Sequence, residues 1–396
     1  MKHWLRFPRN VWVLAGTLSL VMTSIPLMVL ISGLLGAKLA ANPALATLPL
    51  ACTIVGTALT TLPAASLVRR RGRRFAGFTG IACSAIGALL GLAATEFSSF
   101  ISLLSGAAFM GAAMAFFQQF RFAAIESLSD PADAGPAVSM IMLSGIVSAI
   151  VGPEFGAWGR HWSGLAQYSG SFLILLLAIV LAAIVFMGFR NPEQLQTQDK
   201  GTGRPLSEIV RQPVFLIALA SAAIGYAVMS FLMTSTPISM HSHYGHSLHE
   251  AKWVIQSHLM AMFLPSLFAG FLLQRLGVIT LMLSGCVLYF AVLIIALSGH
   301  AVMHYWWALV LLGVGWNFLF LAGTTLLPKA YSGAERFKAQ AVNDFSVFSL
   351  QAAASLCAGW VLVSFGWQVQ VLATLVPVVL LLLISVWALL NRQRLV

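Results

Sequence analysis

The sequence predicts an all-α membrane protein with twelve transmembrane helices arranged as two six-helix repeats. Apolar residues make up 59% of the 396 residues and charged residues only 8%, whereas soluble domains carry about 25% charged residues. Apolar runs of about 20 residues, long enough to cross a bilayer, recur along the whole chain. The charged residues lie between these runs, which is the pattern of a protein that crosses the membrane many times.

Hydropathy, together with Gly, Pro and charged residues, divides the chain into twelve predicted spans. If both termini are cytoplasmic, nineteen Lys and Arg residues fall on the inside and three on the outside. This asymmetry supports an even number of spans, because positively charged loops stay in the cytoplasm. The spans cover residues 11–35, 44–68, 75–95, 98–121, 136–158, 168–189, 213–236, 251–274, 278–298, 302–327, 338–363 and 366–391.

Other classes of protein are excluded by the placement of charged and reactive residues. The formal charge of +11 does not indicate nucleic-acid binding, because the basic residues sit at helix ends. The four cysteines lie in apolar segments without close spacing, so neither a disulfide framework nor a CxxC metal clip is expected. No nucleophile with a base at usable spacing, phosphate loop or pair of carboxylates is found. We therefore expect neither an enzyme nor a bound cofactor.

The chain reads as two halves joined by a polar linker. We predict a six-helix half at residues 1–190, a cytoplasmic linker at 191–212 that is rich in Gln, Asp, Gly and Pro, and a second half at 213–396. The sequence Met22–Pro26 in the first predicted span recurs as Met233–Pro237 in the seventh. Such repeats place a substrate site between the halves, near the middle of the bilayer.

Two pairs of soft or borderline metal ligands stand out on the seventh and eighth spans. Met229 and Met233 are four residues apart, as are His258 and Met262, and this spacing puts each pair on one helix face. Thioether and imidazole groups bind Cu(I) and discriminate against Mg²⁺ and Ca²⁺. Packing by the methionines and an interhelical hydrogen bond by the histidine are the alternative explanations.

A histidine-rich segment follows the seventh span on the predicted outer side. With the neighbouring methionine it can collect metal ions at the mouth of a pathway, or it can be an ordinary polar loop. The residues of this predicted metal-collecting loop are Met240, His241, His243, His246 and His249.

Two short motifs resemble those of the major facilitator superfamily. The segment from Ala65 to Arg74 is similar to the superfamily pattern Gly-x-Leu-Ala-Asp-Arg-x-Gly-Arg-Arg, with Arg69 in place of the acidic residue, and Gly270–Gly277 echoes it in the second half. Gly152–Gly156 resembles the Gly-Pro-x-x-Gly motif. The resemblance implies coupling or gating roles for Glu154, Arg70 and Arg275. A structural ion pair is the alternative for Glu154.

Within the superfamily, the Met229, Met233, His258 and Met262 set resembles CcoA-like copper importers of bacterial inner membranes. The resemblance implies a secondary transporter that imports copper, with Cu(I) as the expected form, for haem-copper oxidase assembly. It also implies a monomeric inner-membrane protein with copper as its substrate and with periplasmic or cytoplasmic copper chaperones as partners. Copper and the lipid bilayer are the other expected partners. No nucleic-acid partner is expected.

The main alternative is a transporter of riboflavin or another small organic solute. Riboflavin transporters of the same branch resemble this chain around Thr234–Pro237 and Phe263–Gly270. Aromatic and amide side chains suited to such a ligand are present in Gln118, Trp316, Asn317 and Phe318. A proton-coupled exporter and a non-transporting receptor or oxidase assembly factor are further alternatives.

Overall fold

A computed structural model describes residues 7–128, 134–191, 203–332 and 335–391, and every regular element in these ranges is a helix. Contacts between Cα atoms divide the chain into two compact units, Met1–Gln196 and Thr197–Val396, which we call unit 1 and unit 2. The division falls inside the predicted linker, of which residues 192–202 lie outside the described ranges.

Each unit is a bundle of helices connected by short turns. The helices of unit 1 are α1 (Arg9–Val21), α2 (Ser24–Leu39), α3 (Leu48–Glu96), α4 (Phe100–Phe117), α5 (Phe120–Glu126), α6 (Ala134–Trp158) and α7 (Ser169–Phe186). The helices of unit 2 are α8 (Leu206–Val210), α9 (Pro213–Ile238), α10 (Leu248–Phe263), α11 (Ala269–Leu276), α12 (Val278–Ser298), α13 (Val302–Leu326), α14 (Arg336–Ala373) and α15 (Leu375–Leu390).

The all-α membrane fold predicted from hydropathy is confirmed. Eight segments of the described chain are long and apolar enough to cross a membrane. Two of these, Leu48–Glu96 and Lys338–Leu390, each contain two predicted spans. The two remaining predicted spans coincide with α6 and with α10 plus α11. Every one of the twelve predicted positions is therefore helical.

The repeated loop motif has the same backbone geometry in both units. Gly72 interrupts α3 with φ 81° and ψ 169°, and Gly277 separates α11 from α12 with φ 72° and ψ 163°. Both conformations have positive φ, which glycine adopts without the steric cost of a Cβ atom. The two glycines thus mark the same turn between consecutive spans, in agreement with the predicted repeat.

Prolines interrupt the helices differently from the sequence prediction. The predicted eighth span is broken, because Pro265 has no N–H to continue the ladder and residues Leu264–Phe268 form a 3-10 turn. The predicted seventh span ends at residue 236, just before Pro237, whereas α9 continues through Pro237 to Ile238 and then passes into a π-helical turn, Ser239–His243. In the first repeat, α1 and α2 do separate, just before Pro26.

The helix faces that cover the surface are apolar, as contact with lipid requires. On α7, Leu177, Leu181 and Ile184 are at least half exposed, whereas Leu175 and Ile179 are buried. The exposed residues lie four and three positions apart and therefore share one face. A soluble protein would cover this face with polar residues, so the exposure pattern supports membrane insertion.

The predicted Gly-Pro-x-x-Gly motif is a place where two helices come very close. A Cβ atom added at Gly152 of α6 would lie 2.6 Å from the carbonyl oxygen of Thr23 and 2.8 Å from Cβ of Pro26. Such a distance is too short for a side chain, so α6 packs here directly on Thr23 and on the first turn of α2.

We expect Gly152→Val to lower the unfolding midpoint of the purified protein and its amount in membranes, since overpacking of this kind costs about 1–3 kcal/mol. Thermal unfolding in detergent measures the effect. The control is Val147→Leu on the same helix, because Val147 is 45% exposed and can take a larger side chain. An unchanged midpoint in Gly152→Val would contradict the close contact.

Candidate transport site

The predicted methionine and histidine ligands are buried on two helices that both pack against α13. Met229 and Met233 lie on α9, and His258 and Met262 lie on α10. Side chains of all four are at most 6% exposed. Among the described residues, no hydrogen bond joins two of the four side chains. The role of the set as a metal site stays a prediction.

The α10 pair is held directly by α13. His258 Nδ1 lies 2.7 Å from the carbonyl oxygen of Leu309, and Asn317 Nδ2 donates to the carbonyl oxygen of Met262 over 2.7 Å. A carbonyl oxygen can only accept, so Nδ1 of His258 carries the hydrogen and Nε2 presents a lone pair. His258 is fully buried, and its Nε2 has no hydrogen-bond partner.

An aromatic cluster fills the space between four helices of unit 2. Its members are Tyr226 of α9, Phe263 of α10, Trp316 and Phe320 of α13, and Phe348 of α14. The Tyr226 ring stands edge-on to Trp316 at 4.9 Å, to Phe320 at 5.4 Å and to Phe348 at 5.9 Å between centroids. Trp316 stacks on Phe320 at 5.2 Å. The rings of Tyr226, Phe263 and Phe320 are only half-buried.

The aromatic cluster borders two polar atoms that have no partner. Asn317 Nδ2 donates to the Met262 carbonyl oxygen and to Ser266 Oγ, which fixes the orientation of the amide and leaves Oδ1 without a hydrogen bond. Trp316 Nε1 is also buried and unpartnered. Unsatisfied buried polar groups are costly and uncommon in folded proteins. A free donor on one ring of the cluster and a free acceptor on the next residue of α13 are therefore present.

Sequence reasoning found part of this arrangement. Trp316 and Asn317 were expected to suit an organic solute, and both are in place; Phe318 is half-buried in α13, and Gln118 lies in unit 1. Tyr226, Phe320 and Phe348 were missed. The four-residue spacing of Trp316 and Phe320, which puts both rings on one face of α13, was the available signal.

Buried polar contacts attach α9 to α14 beside the cluster. Gln351 Nε2 donates to Ser230 Oγ over 2.8 Å, and Thr234 Oγ1 lies 3.0 Å from Ser355 Oγ. Hydrogen bonds between spanning helices hold polar side chains that lipid cannot solvate. These pairs fix the rotation of α9, and so the direction in which Tyr226 points.

The predicted metal-collecting loop is a folded segment. Met240 is fully buried, so its thioether is not on the surface, whereas His243 and His249 are exposed. His241 Nδ1 lies 2.8 Å from the carbonyl oxygen of His246, whose own Nε2 lies 2.7 Å from the carbonyl oxygen of His300. Across the described part of the chain, no group of three or more His, Cys, Asp or Glu side chains is arranged to hold a metal ion.

The predicted coupling and gating residues occupy different environments. Glu154 is half-buried in α6, between the two glycines of its motif. Arg70 is exposed in the turn of α3 that precedes Gly72, and Arg275 is exposed in the last turn of α11, before Gly277. The predicted coupling and gating roles stay predictions.

Each unit contains an ion pair that the sequence analysis missed. In unit 1, Arg73 of the loop motif forms a two-pronged pair with Glu126 at the end of α5 and also donates to the carbonyl oxygen of Gln119. In unit 2, Arg204 contacts both carboxylate oxygens of Glu335 at 2.8 Å. The paired residues are 53 and 131 positions apart, so no local pattern predicts them.

Glu335 fastens the start of unit 2 to the turn before α14. Its carboxylate accepts from the guanidinium and backbone N–H of Arg204 and from the backbone N–H of Ser332. The hydrogen bonds from Arg204, and then those from the two backbone N–H groups, hold the pKa of Glu335 well below its usual range. They favour the charged form of the carboxylate.

This lowered pKa predicts a pH-dependent stabilisation. The contribution of Glu335 should be complete above the unfolded pKa of about 4.3 and be lost as the pH falls toward the folded pKa. We expect the unfolding midpoint of the wild type to exceed that of Glu335→Gln at pH 7 and the difference to shrink below about pH 4. Thermal unfolding from pH 7 to pH 3.5 measures it; a constant difference would refute the linkage.

Comparison with known proteins identifies the class. The profile of the Major Facilitator Superfamily matches residues 12–244 and 218–395. The chain is 40% identical over 362 residues to the riboflavin transporter RfnT of Brucella anthropi, covering 91% of this chain and 90% of that protein. It is 27% identical over 374 residues to the uncharacterized MFS-type transporter YddS of Bacillus subtilis, covering 90% and 85%. The chain therefore belongs to the Major Facilitator Superfamily, and it is a transporter rather than an enzyme.

Solved structures agree on the fold. A bacterial homolog of the human lysosomal transporter Spinster, in an inward-facing and occupied conformation, matches with a TM-score of 0.73 and 15% identity over 96% of both chains. The inward-facing and unoccupied form matches with a TM-score of 0.68 and 16% identity, covering 96% of this chain and 97% of the other. This likeness establishes the fold alone.

The relatives change the expected substrate. The similarity to a riboflavin transporter favours the organic-solute alternative over the predicted CcoA-like copper importer. Copper transport and metal binding are thus not supported by these comparisons, although membership of the superfamily is. A metal-binding role for Met229, Met233, His258 and Met262 therefore stays a prediction.

Proposed function

We propose that this protein transports riboflavin, or a closely related neutral flavin, across the membrane. The observation that carries the proposal is the aromatic cluster of unit 2 beside the free donor of Trp316 and the free acceptor of Asn317. Similarity to a riboflavin transporter over nine-tenths of the chain supports the same conclusion independently.

The chemistry of the cluster fits the flavin ring system. Isoalloxazine is flat, aromatic and apolar on its faces, and aromatic side chains bind such faces by stacking and edge contacts. One edge of the ring carries an imide, in which an N–H lies between two carbonyl groups. Trp316 Nε1 can donate to one of these carbonyls and Asn317 Oδ1 can accept from the N–H. A bound flavin would thereby satisfy both unpartnered atoms.

The charge of the surrounding helices favours a neutral ligand. α9 and α13 contain no Asp, Glu, Lys or Arg, and the charged residues of α10 lie within its first five positions. The Arg and Lys of α14 are residues 336 and 338, more than two helical turns before Phe348. A flavin phosphate beside the cluster would therefore lack a cationic partner at its level, and an unpaired buried charge is very unfavourable. We therefore expect riboflavin to be preferred over its phosphorylated derivatives.

The membrane and the orientation of the protein in it stay predictions from the sequence. Nineteen of the 22 Lys and Arg residues lie on one predicted side, which supports an inner-membrane transporter with both termini in the cytoplasm. We propose import as the direction of transport, which growth and accumulation on external riboflavin test.

The proposal is tested by riboflavin accumulation in cells that cannot synthesise the vitamin. Cells producing this protein should grow on micromolar external riboflavin and accumulate labelled riboflavin with saturation. Excess unlabelled riboflavin should compete, whereas flavin mononucleotide and copper should not. Accumulation equal to that of cells with an empty vector, at confirmed membrane levels of the protein, would overturn the proposal.

Copper import is a second candidate, favoured by one observation. His258 Nε2 presents an unpartnered lone pair in a fully buried position, and Met262 follows it by one turn. Imidazole and thioether groups suit Cu(I). Whole-cell copper content should then fall in His258→Ala but not in His249→Ala, whose side chain is exposed. Equal copper content in both variants and the wild type would eliminate this candidate.

A further inference from the structure

A second aromatic group lies at the end of unit 2 opposite to the linker, which we call the far end. There the rings of Tyr244 and His300 stack at 4.0 Å between centroids, and those of Tyr305 and Trp367 lie 5.1 Å apart. Tyr244 is 40% exposed, whereas Tyr305 and Trp367 are each 2% exposed. The group therefore extends from solvent into the buried interior.

Two fully buried polar atoms at the far end have no partner. Trp367 Nε1 is a donor, Gln370 Oε1 is an acceptor, and neither makes a hydrogen bond. The orientation of the Gln370 amide is fixed, because its Nε2 donates over 2.7 Å to the carbonyl oxygen of Phe231 and over 2.7 Å to Ser235 Oγ. A reversed amide would place two carbonyl oxygens against each other.

The free donor and acceptor share one helix face. Trp367 and Gln370 are three residues apart in the part of α14 that follows Gly366, so their side chains are neighbours. This arrangement repeats the chemistry of the aromatic cluster, where Trp316 supplies the donor and Asn317 the acceptor. In both places an indole N–H and an amide oxygen are unsatisfied beside aromatic rings.

We propose that Trp367 and Gln370 form a second flavin subsite, at which the imide edge of the ligand binds before it reaches the aromatic cluster. Trp367 donates to a ring carbonyl, Gln370 accepts from the ring N–H, and Tyr305 offers an aromatic surface. This inference rests on the proposed function. Because both side chains are closed off here, the subsite becomes accessible only when the far end opens.

The subsite predicts an effect that depends on the direction of transport. Trp367→Phe keeps an aromatic ring and removes the donor, so the half-saturation concentration for riboflavin should rise about 3- to 10-fold, as expected for one lost hydrogen bond. The half-saturation concentration should rise for transport that starts at the far end and stay unchanged for transport in the opposite direction. Uptake into cells and efflux from preloaded cells measure the two directions. Trp367→His, which keeps an N–H donor, should restore part of the loss.

Matched variants separate this subsite from a structural role. Trp360→Phe on the same helix is the control, because Trp360 is 53% exposed and contacts Phe365. A half-saturation concentration for Trp367→Phe equal to the wild type in both directions would overturn the subsite and identify the two atoms as ligands of a buried water only. An equal fall in maximal rate in both directions would overturn it too. A wild type that moves no riboflavin would instead overturn the proposed function.

Discussion

Trp316→Ala is expected to raise the half-saturation concentration for riboflavin by at least about 30-fold. The substitution removes an aromatic face, worth about 1–3 kcal/mol for stacking on a planar base, and a hydrogen-bond donor, worth about 1 kcal/mol. Trp316→Phe keeps the face and loses only the donor, so a rise of about 5-fold is expected. Initial rates of labelled riboflavin uptake at equal membrane levels measure both effects.

The matched control for Trp316 is Trp387→Ala in α15. Trp387 is 47% exposed, on a surface that faces lipid, so the half-saturation concentration should stay near that of the wild type. Equal values for Trp316→Ala and Trp387→Ala would contradict the aromatic cluster as the ligand site. That outcome would not contradict the proposal that the protein transports riboflavin, because that proposal is tested separately on the wild type.

Arg73→Ala is expected to destabilise unit 1 strongly. Arg73 is 8% exposed, and its removal leaves the Glu126 carboxylate, 29% exposed, without its two-pronged partner. Breaking a buried pair costs about 3–5 kcal/mol, and the partial exposure of Glu126 reduces this to about 2–3 kcal/mol. The amount of protein in membranes and the unfolding midpoint in detergent should both fall.

Two further variants identify the cause of that loss. Arg69→Ala changes an exposed arginine of the same segment and should leave the midpoint close to that of the wild type. The exchange Arg73→Glu with Glu126→Arg should recover part of the stability lost in Arg73→Glu alone, because the charges are again opposite. No recovery in the exchange would show that packing, rather than the ion pair, accounts for the effect.

The sequence predicted the helices well because their signal is local. About 20 consecutive apolar residues indicate a transmembrane span. The repeated loop motif also predicted correctly that Gly72 and Gly277 occupy equivalent turns. Pro265 and Pro237 show that local sequence does not predict whether a proline breaks its helix. Both remove a backbone donor, yet only the first breaks its helix, because neighbouring helices decide whether the freed carbonyl can be accommodated.

The site depended more on packing between distant residues. Trp316 and Asn317 could be named from residue chemistry, but the sequence did not show that Tyr226 and Phe348, from other helices, would meet them. The four-residue spacing of the methionines and the histidine predicted a copper site, because it places soft ligands on one face of a helix. It says nothing about what stands opposite that face.

By itself the sequence determined the class of fold, the number and position of the spans, and the repeat, all of which follow from hydropathy and short motifs along the chain. Only the tertiary structure decided which polar atoms are left without partners. Trp316 Nε1, Asn317 Oδ1, Trp367 Nε1 and Gln370 Oε1 are identical in kind to other indole and amide groups. The difference is burial without a hydrogen-bond partner. Buried polar atoms in folded proteins are nearly always hydrogen-bonded, so an unpartnered one can bond to a ligand.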